Sequence, residues 1–176
     1  MKRIKFTQGF SLVEMIIVIS VFSILAVVVT QSLTLSLRGA QKGRAVGSVR
    51  ENLEFAISVM ERQLRNAKSL NCAESNHNTL VYVDSYGNNA RFACVTQGVQ
   101  TYIASGSASL TRLTNSSVNV VNCNDTSTTE RIFSCTQGSG SPDSVIIKIR
   151  ASDASGVGQA EGSSETFTTQ ISLRNY

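Results

Sequence analysis

Apolar residues are concentrated in one uninterrupted block near the amino terminus. Residues 10–29 read FSLVEMIIVISVFSILAVVV, about the 20 mostly apolar residues that a helix needs to cross roughly 30 Å of hydrocarbon. An ordinary secretory signal has a shorter apolar core, of about 7 to 15 residues, followed by a small-x-small cleavage site. Here valines occupy the end of the apolar block, where such a cleavage site would stand. The pattern therefore predicts a transmembrane helix over residues 10–29.

A helical period replaces the continuous apolar block between residues 30 and 70. Apolar or small side chains recur at steps of three and four, at Val46, Val49, Leu53, Ala56, Met60, Leu64 and Ala67. The opposite face is charged, at Arg50, Glu51, Glu54, Glu61, Arg62, Arg65 and Lys68. This pattern predicts an amphipathic extension over residues 30–70, so that one helix runs from about residue 11 to about residue 69 and packs its apolar stripe on a sheet.

Three glycines, Gly39, Gly43 and Gly47, recur every fourth residue within the predicted extension. Small residues at this spacing allow two helices to approach closely when they face each other. Each glycine also costs about 1 kcal/mol in a helix interior, so a bendable connection is an equally good interpretation. The sequence leaves both open.

A β-strand pattern begins at residue 71, where Ser, Thr, Asn, Gly and β-branched residues become common. Candidate strands at 79–84 and 90–95 flank a Gly-containing turn and predict a hairpin. Further candidate strands lie at 99–104, 109–113, 118–121, 131–134, 145–150 and 166–173. The turn-rich stretch 152–165 predicts a loop before the last strand. Residues 71–176 are thus expected to form a β-rich head, which together with the helix makes an α+β fold.

The distribution of charge narrows the choice of partners. The net charge is +4, but Lys2, Arg3 and Lys5 precede the apolar block, and from residue 71 onward six basic residues face eight acidic ones. Binding of nucleic acid needs clustered Lys and Arg. The mildly acidic region after residue 71 therefore indicates no nucleic-acid partner. Basic residues before the span predict a cytoplasmic amino end and an exported head, although Arg38, Lys42 and Arg44 beyond the span weaken that orientation.

One acidic residue, Glu14, lies four residues inside the predicted span. A carboxylate in hydrocarbon costs a few kcal/mol and needs a partner or a function, and no basic residue lies within the span. A position this close to the end of the span is also consistent with contact with interfacial water. The surrounding sequence is Lys5-Phe6-Thr7-Gln8-Gly9-Phe10-Ser11-Leu12-Val13-Glu14.

This segment resembles the class III signal of type IV pilins and type II secretion pseudopilins. A short basic leader, a Gly-Phe junction, a Glu at the fifth position of the apolar segment and a long apolar run coincide in it. The resemblance implies that a prepilin peptidase removes residues 1–9 by cleaving between Gly9 and Phe10, and that the new amino group of Phe10 is methylated. It also implies that Glu14 meets the Phe10 ammonium of a neighbouring subunit, where a buried ion pair would set the register between subunits.

Other features resemble a minor pilin or minor pseudopilin of the J or W type. They are the helix continuing into MERQLRNAKS, the four cysteines, the SVNV strand and the SLRNY end. This resemblance implies a pilin-like fold, in which a long amino-terminal helix packs on an antiparallel β-sheet head. It further implies a single-pass subunit of the inner membrane that joins other minor and major pilins or pseudopilins and helps to initiate or cap a filament. The alternative, from another class of function, is a pilus-tip adhesin or ligand-binding module.

Four cysteines, Cys72, Cys94, Cys123 and Cys135, all lie in the predicted head, and none forms a CxxC motif. This distribution favours disulfides over a zinc or redox site. Four cysteines allow three pairings. Closure of short local loops favours Cys72 with Cys94 and Cys123 with Cys135, each stabilising the fold by roughly 3 kcal/mol in the chain-entropy model.

Residues suited to catalysis or metal binding are sparse. His77 is the one histidine, which excludes mechanisms that need two imidazoles, and it is expected in an exposed loop. The glycines of 138–140 and 156–158 do not fit a phosphate-binding pattern. Asp125 and Glu130 are candidates for calcium binding, since some pseudopilins bind calcium, but a solvated acidic loop is the favoured interpretation. The sequence therefore predicts no enzyme activity, no cofactor and no metal site.

Overall fold

The computed structural model describes residues 11–125, 127, 129–138, 142–154 and 164–173. The chain divides into two units, residues 1–41 and residues 42–176. Helix α1 (Leu12–Arg65) contributes residues to both units. The predicted cleavage junction, Gly9 and Phe10, lies outside the described residues.

The described part of the first unit is helical from Leu12 onward, and every side chain in it is exposed. In the second unit, by contrast, α1 buries one face. The buried side chains follow steps of three and four, at Val49, Leu53, Ala56, Ile57, Met60 and Leu64. They share a hydrophobic core with residues of both sheets. The predicted apolar stripe is therefore confirmed, although Val46 at its start is only half-buried.

One member of the predicted charged face of α1 does not point to solvent. Glu61 is half-buried, and its Oε1 accepts a hydrogen bond of 2.7 Å from the Thr169 hydroxyl. The helix therefore contacts the sheet over a wider arc than the apolar stripe alone predicts.

The helix ends at Arg65, four residues before the predicted end. The Ala67 N–H donates to the Leu64 carbonyl, and the Lys68 N–H donates to the Val83 carbonyl at 2.9 Å. The chain thus leaves the helix to pair with a strand. The strand that follows, β1 (Ser69–Asn71), was not predicted.

The first sheet has five antiparallel strands in the order β1-β2-β3-β4-β5. After β1 they are β2 (Thr79–Val83), β3 (Asn89–Gln97), β4 (Gln100–Gly106) and β5 (Thr111–Arg112). The predicted hairpin is confirmed, and its Gly87 has φ 90°, a backbone conformation that favours glycine. A second tight turn at Gly98, with φ 63°, joins β3 to β4 and delays the start of β4 to Gln100.

The second sheet is also antiparallel, and β8 is its central strand. Its strands are β6 (Val118–Val120), β7 (Phe133–Thr136), β8 (Ser144–Asp153) and β9 (Ser164–Ser172), with a 3-10 helix (Val121–Asn124) after β6. The predicted loop over 152–165 is wrong at both ends, because β8 continues to Asp153 and β9 begins at Ser164; residues 155–163 lie outside the described residues.

Buried polar groups connect the two sheets and hold the 3-10 helix against the second sheet. In β4, the Thr101 N–H donates to Asn119 Oδ1 at 2.8 Å, and the Thr101 hydroxyl lies 2.6 Å from the Val120 carbonyl oxygen of β6. Asn122 is fully buried, and its side chain bonds to backbone groups of Glu130, Lys148 and Arg150. The whole arrangement confirms the predicted α+β architecture, a long helix packed on antiparallel sheets.

Candidate functional site

The amino-terminal part of α1 combines an apolar surface with a lack of protein cover. The large apolar side chains of residues 12–37 are each 50–75% exposed. Within the part of the chain that the structure describes, α1 is the one helix long and apolar enough to cross a membrane. A surface this apolar is stable only against lipid or other protein.

Hydroxyl groups in this segment are satisfied inside the helix itself. The side chains of Ser20, Ser23, Thr30 and Thr34 each donate to a carbonyl three or four residues earlier, at 2.8–2.9 Å. Such bonds remove most of the cost of placing a hydroxyl in hydrocarbon. Residues 12–29 are therefore compatible with lipid except at one residue.

That residue is Glu14, in the first turn of α1. A carboxylate there is favoured by the positive end of the helix dipole, but it is exposed and makes no ion pair or hydrogen bond with any other described residue. Along the sequence, the nearest basic residue after it is Arg38. The predicted partner, the amino group of Phe10, lies outside the described residues, so its pairing with Glu14 stays a prediction.

The three spaced glycines are helical, and each is exposed. A Cβ placed on Gly39, Gly43 or Gly47 would meet no described atom within 4 Å. The close approach that their spacing permits is thus not used inside the described chain. The boundary between the two units falls among them, at Gln41 and Lys42.

Two disulfides form, but the pairing expected from short loops is wrong. Cys72 pairs with Cys135 and Cys94 pairs with Cys123, with Cα–Cα distances of 5.5 and 5.6 Å. Cys72 follows β1 and Cys94 lies in β3 of the first sheet, whereas Cys135 lies in β7 of the second sheet and Cys123 in the 3-10 helix that follows β6. Each bond therefore joins the two sheets. Packing between sheets, rather than distance along the chain, decides the pairing.

The acidic pair considered for calcium has other partners. Glu130 Oε1 lies 3.0 Å from Lys148 Nζ, and its Oε2 lies 3.5 Å from Arg150 Nη1. Asp125 accepts a hydrogen bond from the Ser127 N–H. No group of three or more His, Cys, Asp or Glu side chains suited to a metal ion occurs among the described residues. Glu130 is half-buried and is the counter-ion of two basic residues. The predicted solvated acidic loop therefore accounts for Glu130 only in part.

The structure also assembles a group that the sequence did not single out. Residues of the β1–β2 segment, of β7 and of the chain just before β7 line an open cavity of about 320 Å³ beside the Cys72–Cys135 disulfide. It includes His77, which lies in a loop as expected but is half-buried rather than exposed, and Arg131, which the sequence placed only in a candidate strand. No local signal marks this cavity, because its two sides are more than 50 residues apart along the chain.

Comparison with known proteins agrees with the amino-terminal segment. Residues 4–30 match the family model described as the prokaryotic N-terminal methylation motif. Neither the curated proteins nor the solved structures contain a significant match to the chain. The matched motif covers the amino-terminal segment alone. Together with the apolar helix and the disulfide-linked cysteines, it supports a type IV pilin-like protein and fits anchoring in the inner membrane.

Proposed function

We propose that this protein is a minor pilin or minor pseudopilin that helps to initiate or cap assembly of a type IV pilus or a type II secretion pseudopilus. A prepilin peptidase removes residues 1–9, and the new amino group on Phe10 is methylated. The apolar part of α1 remains in the inner membrane, and the head lies on the exported side. Other minor and major subunits are its partners.

The observation that carries this proposal is the unpaired carboxylate of Glu14 on an uncovered apolar helix. A charge in hydrocarbon costs a few kcal/mol unless it is paired, and no described residue of the same chain pairs with it. The terminal ammonium of Phe10 in a neighbouring subunit supplies the opposite charge. Such a pair contributes register as well as attraction, since a subunit shifted along the filament leaves both charges unpaired in low dielectric.

The disulfide-linked head supports the export of residues after the membrane segment. Disulfides form and persist in oxidising compartments such as the periplasm and are rare in the cytosol. With both bonds inside the second unit, the head belongs on the side of the membrane opposite the basic leader. This orientation agrees with the positive charges at Lys2, Arg3 and Lys5.

Substitution of Glu14 tests the assembly role. Glu14→Ala is expected to be cleaved and membrane-inserted but absent from crosslinks to other subunits, and to fail to restore filaments in cells that lack the wild-type chain. Glu51→Ala is the matched control, because Glu51 is an exposed carboxylate on the same helix but within the second unit. The proposal is wrong if Glu14→Ala restores filaments as well as Glu51→Ala does. If substitutions on the head then abolish attachment, the adhesin or ligand-binding alternative replaces it.

Mass spectrometry of the mature amino terminus tests the processing step separately. The expected product begins at Phe10 and carries one added methyl group. An uncut chain beginning at Met1 would contradict the proposal at its first step.

A further inference from the structure

The cavity beside the Cys72–Cys135 disulfide is lined by polar and basic residues. It occupies about 320 Å³, and its lining residues include Asn76, His77, Arg131 and Ser134. We call it the Arg131 cavity. No carboxylate is among its lining residues, so its local charge comes from the Arg131 guanidinium.

The guanidinium of Arg131 lacks the partner that a shielded charge needs. Its Nε is buried, and the side chain forms no hydrogen bond or ion pair with any residue that the structure describes. Arg150 Nε is buried without a hydrogen bond as well, but Lys148 and Arg150 differ from Arg131 in sharing the carboxylate of Glu130 as a counter-ion. A charged donor removed from water without an acceptor costs more free energy than an ordinary unmade hydrogen bond. The terminal NH₂ groups are not among the buried unpartnered atoms, so an acceptor entering the cavity would bond to them and offset the charge of the same guanidinium.

Two polar residues beside Arg131, Asn76 and His77, use acceptor oxygens in hydrogen bonds within the protein, so their donor groups remain available to a ligand. Asn76 Oδ1 already accepts from the N–H groups of Asn78 and Thr79, at 2.9 and 2.8 Å, which leaves its NH₂ group for a ligand. The His77 carbonyl accepts from two N–H groups at the start of β7, at 3.2 Å each, and this fixes the residue that carries the imidazole at the cavity wall. The free groups are therefore mostly donors.

A polar groove elsewhere in the second unit provides a contrast. It lies beside Gln63, Tyr82 and Ser105 and has a volume of about 380 Å³. There the Tyr82 and Ser105 hydroxyls both lie within hydrogen-bond distance of Gln63 Oε1, at 2.9 and 3.2 Å. Its central polar groups satisfy one another, whereas those of the Arg131 cavity do not.

We propose that the Arg131 cavity binds a carboxylate group. A carboxylate is planar and accepts two parallel hydrogen bonds from a guanidinium, and the Asn76 amide and the His77 imidazole lie at the same cavity to donate to its remaining lone pairs. The volume suits a small carboxylic acid or the end of an acidic side chain. The ligand is thus either a free small carboxylate or an Asp or Glu side chain of a partner protein. This site is independent of the assembly role of Glu14.

Titration of the full chain in detergent with glutarate, at low ionic strength, tests the proposal. The Nε–Hε resonance of Arg131 in the NMR spectrum is expected to shift and saturate, and neutral glutaramide is expected to leave it unchanged. Arg131→Gln should weaken glutarate binding at least about tenfold, the loss expected for charge-assisted hydrogen bonds. Arg131→Lys keeps the positive charge but cannot donate two parallel hydrogen bonds, so its affinity for glutarate should lie between those of the wild-type chain and Arg131→Gln. Arg91→Gln is the matched control, since Arg91 is exposed on β3 and lies outside the cavity.

Three results would each overturn the proposal: an unmoved Arg131 resonance in the wild-type chain, equal binding of glutaramide, or equal losses in Arg131→Gln and Arg91→Gln. The first uses no variant, so it holds even if Arg131→Gln misfolds. A short peptide with one central Glu, compared with its Gln counterpart, separates the two sources. Tighter binding of the Glu peptide than of glutarate identifies a protein side chain as the ligand, and weaker binding identifies a free small carboxylate.

Discussion

Replacing Cys135 with serine is expected to leave Cys72 as the one free thiol of the oxidised protein. In the structure Cys135 bonds to Cys72, and Cys94 bonds to Cys123. The pairing favoured by short loops would instead leave Cys123 free after the same substitution. Alkylation of the native Cys135→Ser protein, followed by peptide mapping, therefore distinguishes the two pairings with one modified residue.

The effect of each disulfide on stability follows from the loop that it closes. The Cys72–Cys135 bond spans 63 residues and the Cys94–Cys123 bond spans 29. In the chain-entropy model these loops correspond to about 4 and about 3.5 kcal/mol of free energy of unfolding. Because a typical domain has about 5–15 kcal/mol in total, loss of either bond should be plainly measurable and loss of both should leave a marginal fold.

Urea unfolding of the full chain in detergent measures these losses. Tyrosine fluorescence is a suitable probe because the chain contains four Tyr and no Trp. The variant with both Cys72→Ala and Cys135→Ala should lose about 4 kcal/mol. The reasoning from sheet packing fails if alkylation of Cys135→Ser marks Cys123, and the loop-entropy argument fails if this double variant unfolds at the wild-type urea concentration.

The remaining predictions concern packing, a buried amide and acid stability. Met60→Ala removes a fully buried side chain of α1 and should lower the free energy of unfolding by about 3 kcal/mol. Asn122→Ala removes the side-chain partner of three backbone groups and should lower the free energy of unfolding by about 3 kcal/mol. Asn89→Ala, at an exposed position, should change the free energy of unfolding by less than about 0.5 kcal/mol. Urea unfolding measures all three variants, and equal effects of the two Asn variants would contradict the account. The pKa of Asp84 is lowered, first by a backbone hydrogen bond from Asn88; its contribution to stability is therefore present above the ordinary aspartate pKa and is lost as pH falls through the lowered folded value. Asp84→Asn should thus reduce the loss of stability as the pH falls below the ordinary aspartate pKa, and identical acid profiles of the variant and wild type would refute this.

Local pattern determined much of the fold. The 20-residue apolar block and the stripe from Val49 to Leu64 follow from helical periodicity, which requires only neighbouring residues. The hairpin at Gly87 follows from a turn that needs a positive φ. Glu14 stood out because a carboxylate is costly in an apolar block. Each of these features rests on the energetics of a few consecutive residues.

Tertiary structure decided the features that depend on residues distant along the chain. The strand β1 exists because the chain after α1 pairs with β2, and the three residues of β1 carry no strand pattern of their own. The disulfides join two sheets, so loop length along the sequence favoured the wrong partners. The unpaired guanidinium of Arg131 is a property of a cavity whose walls meet only when those sheets pack. A sequence read by itself reports local preference, whereas packing between sheets selects which distant side chains become neighbours.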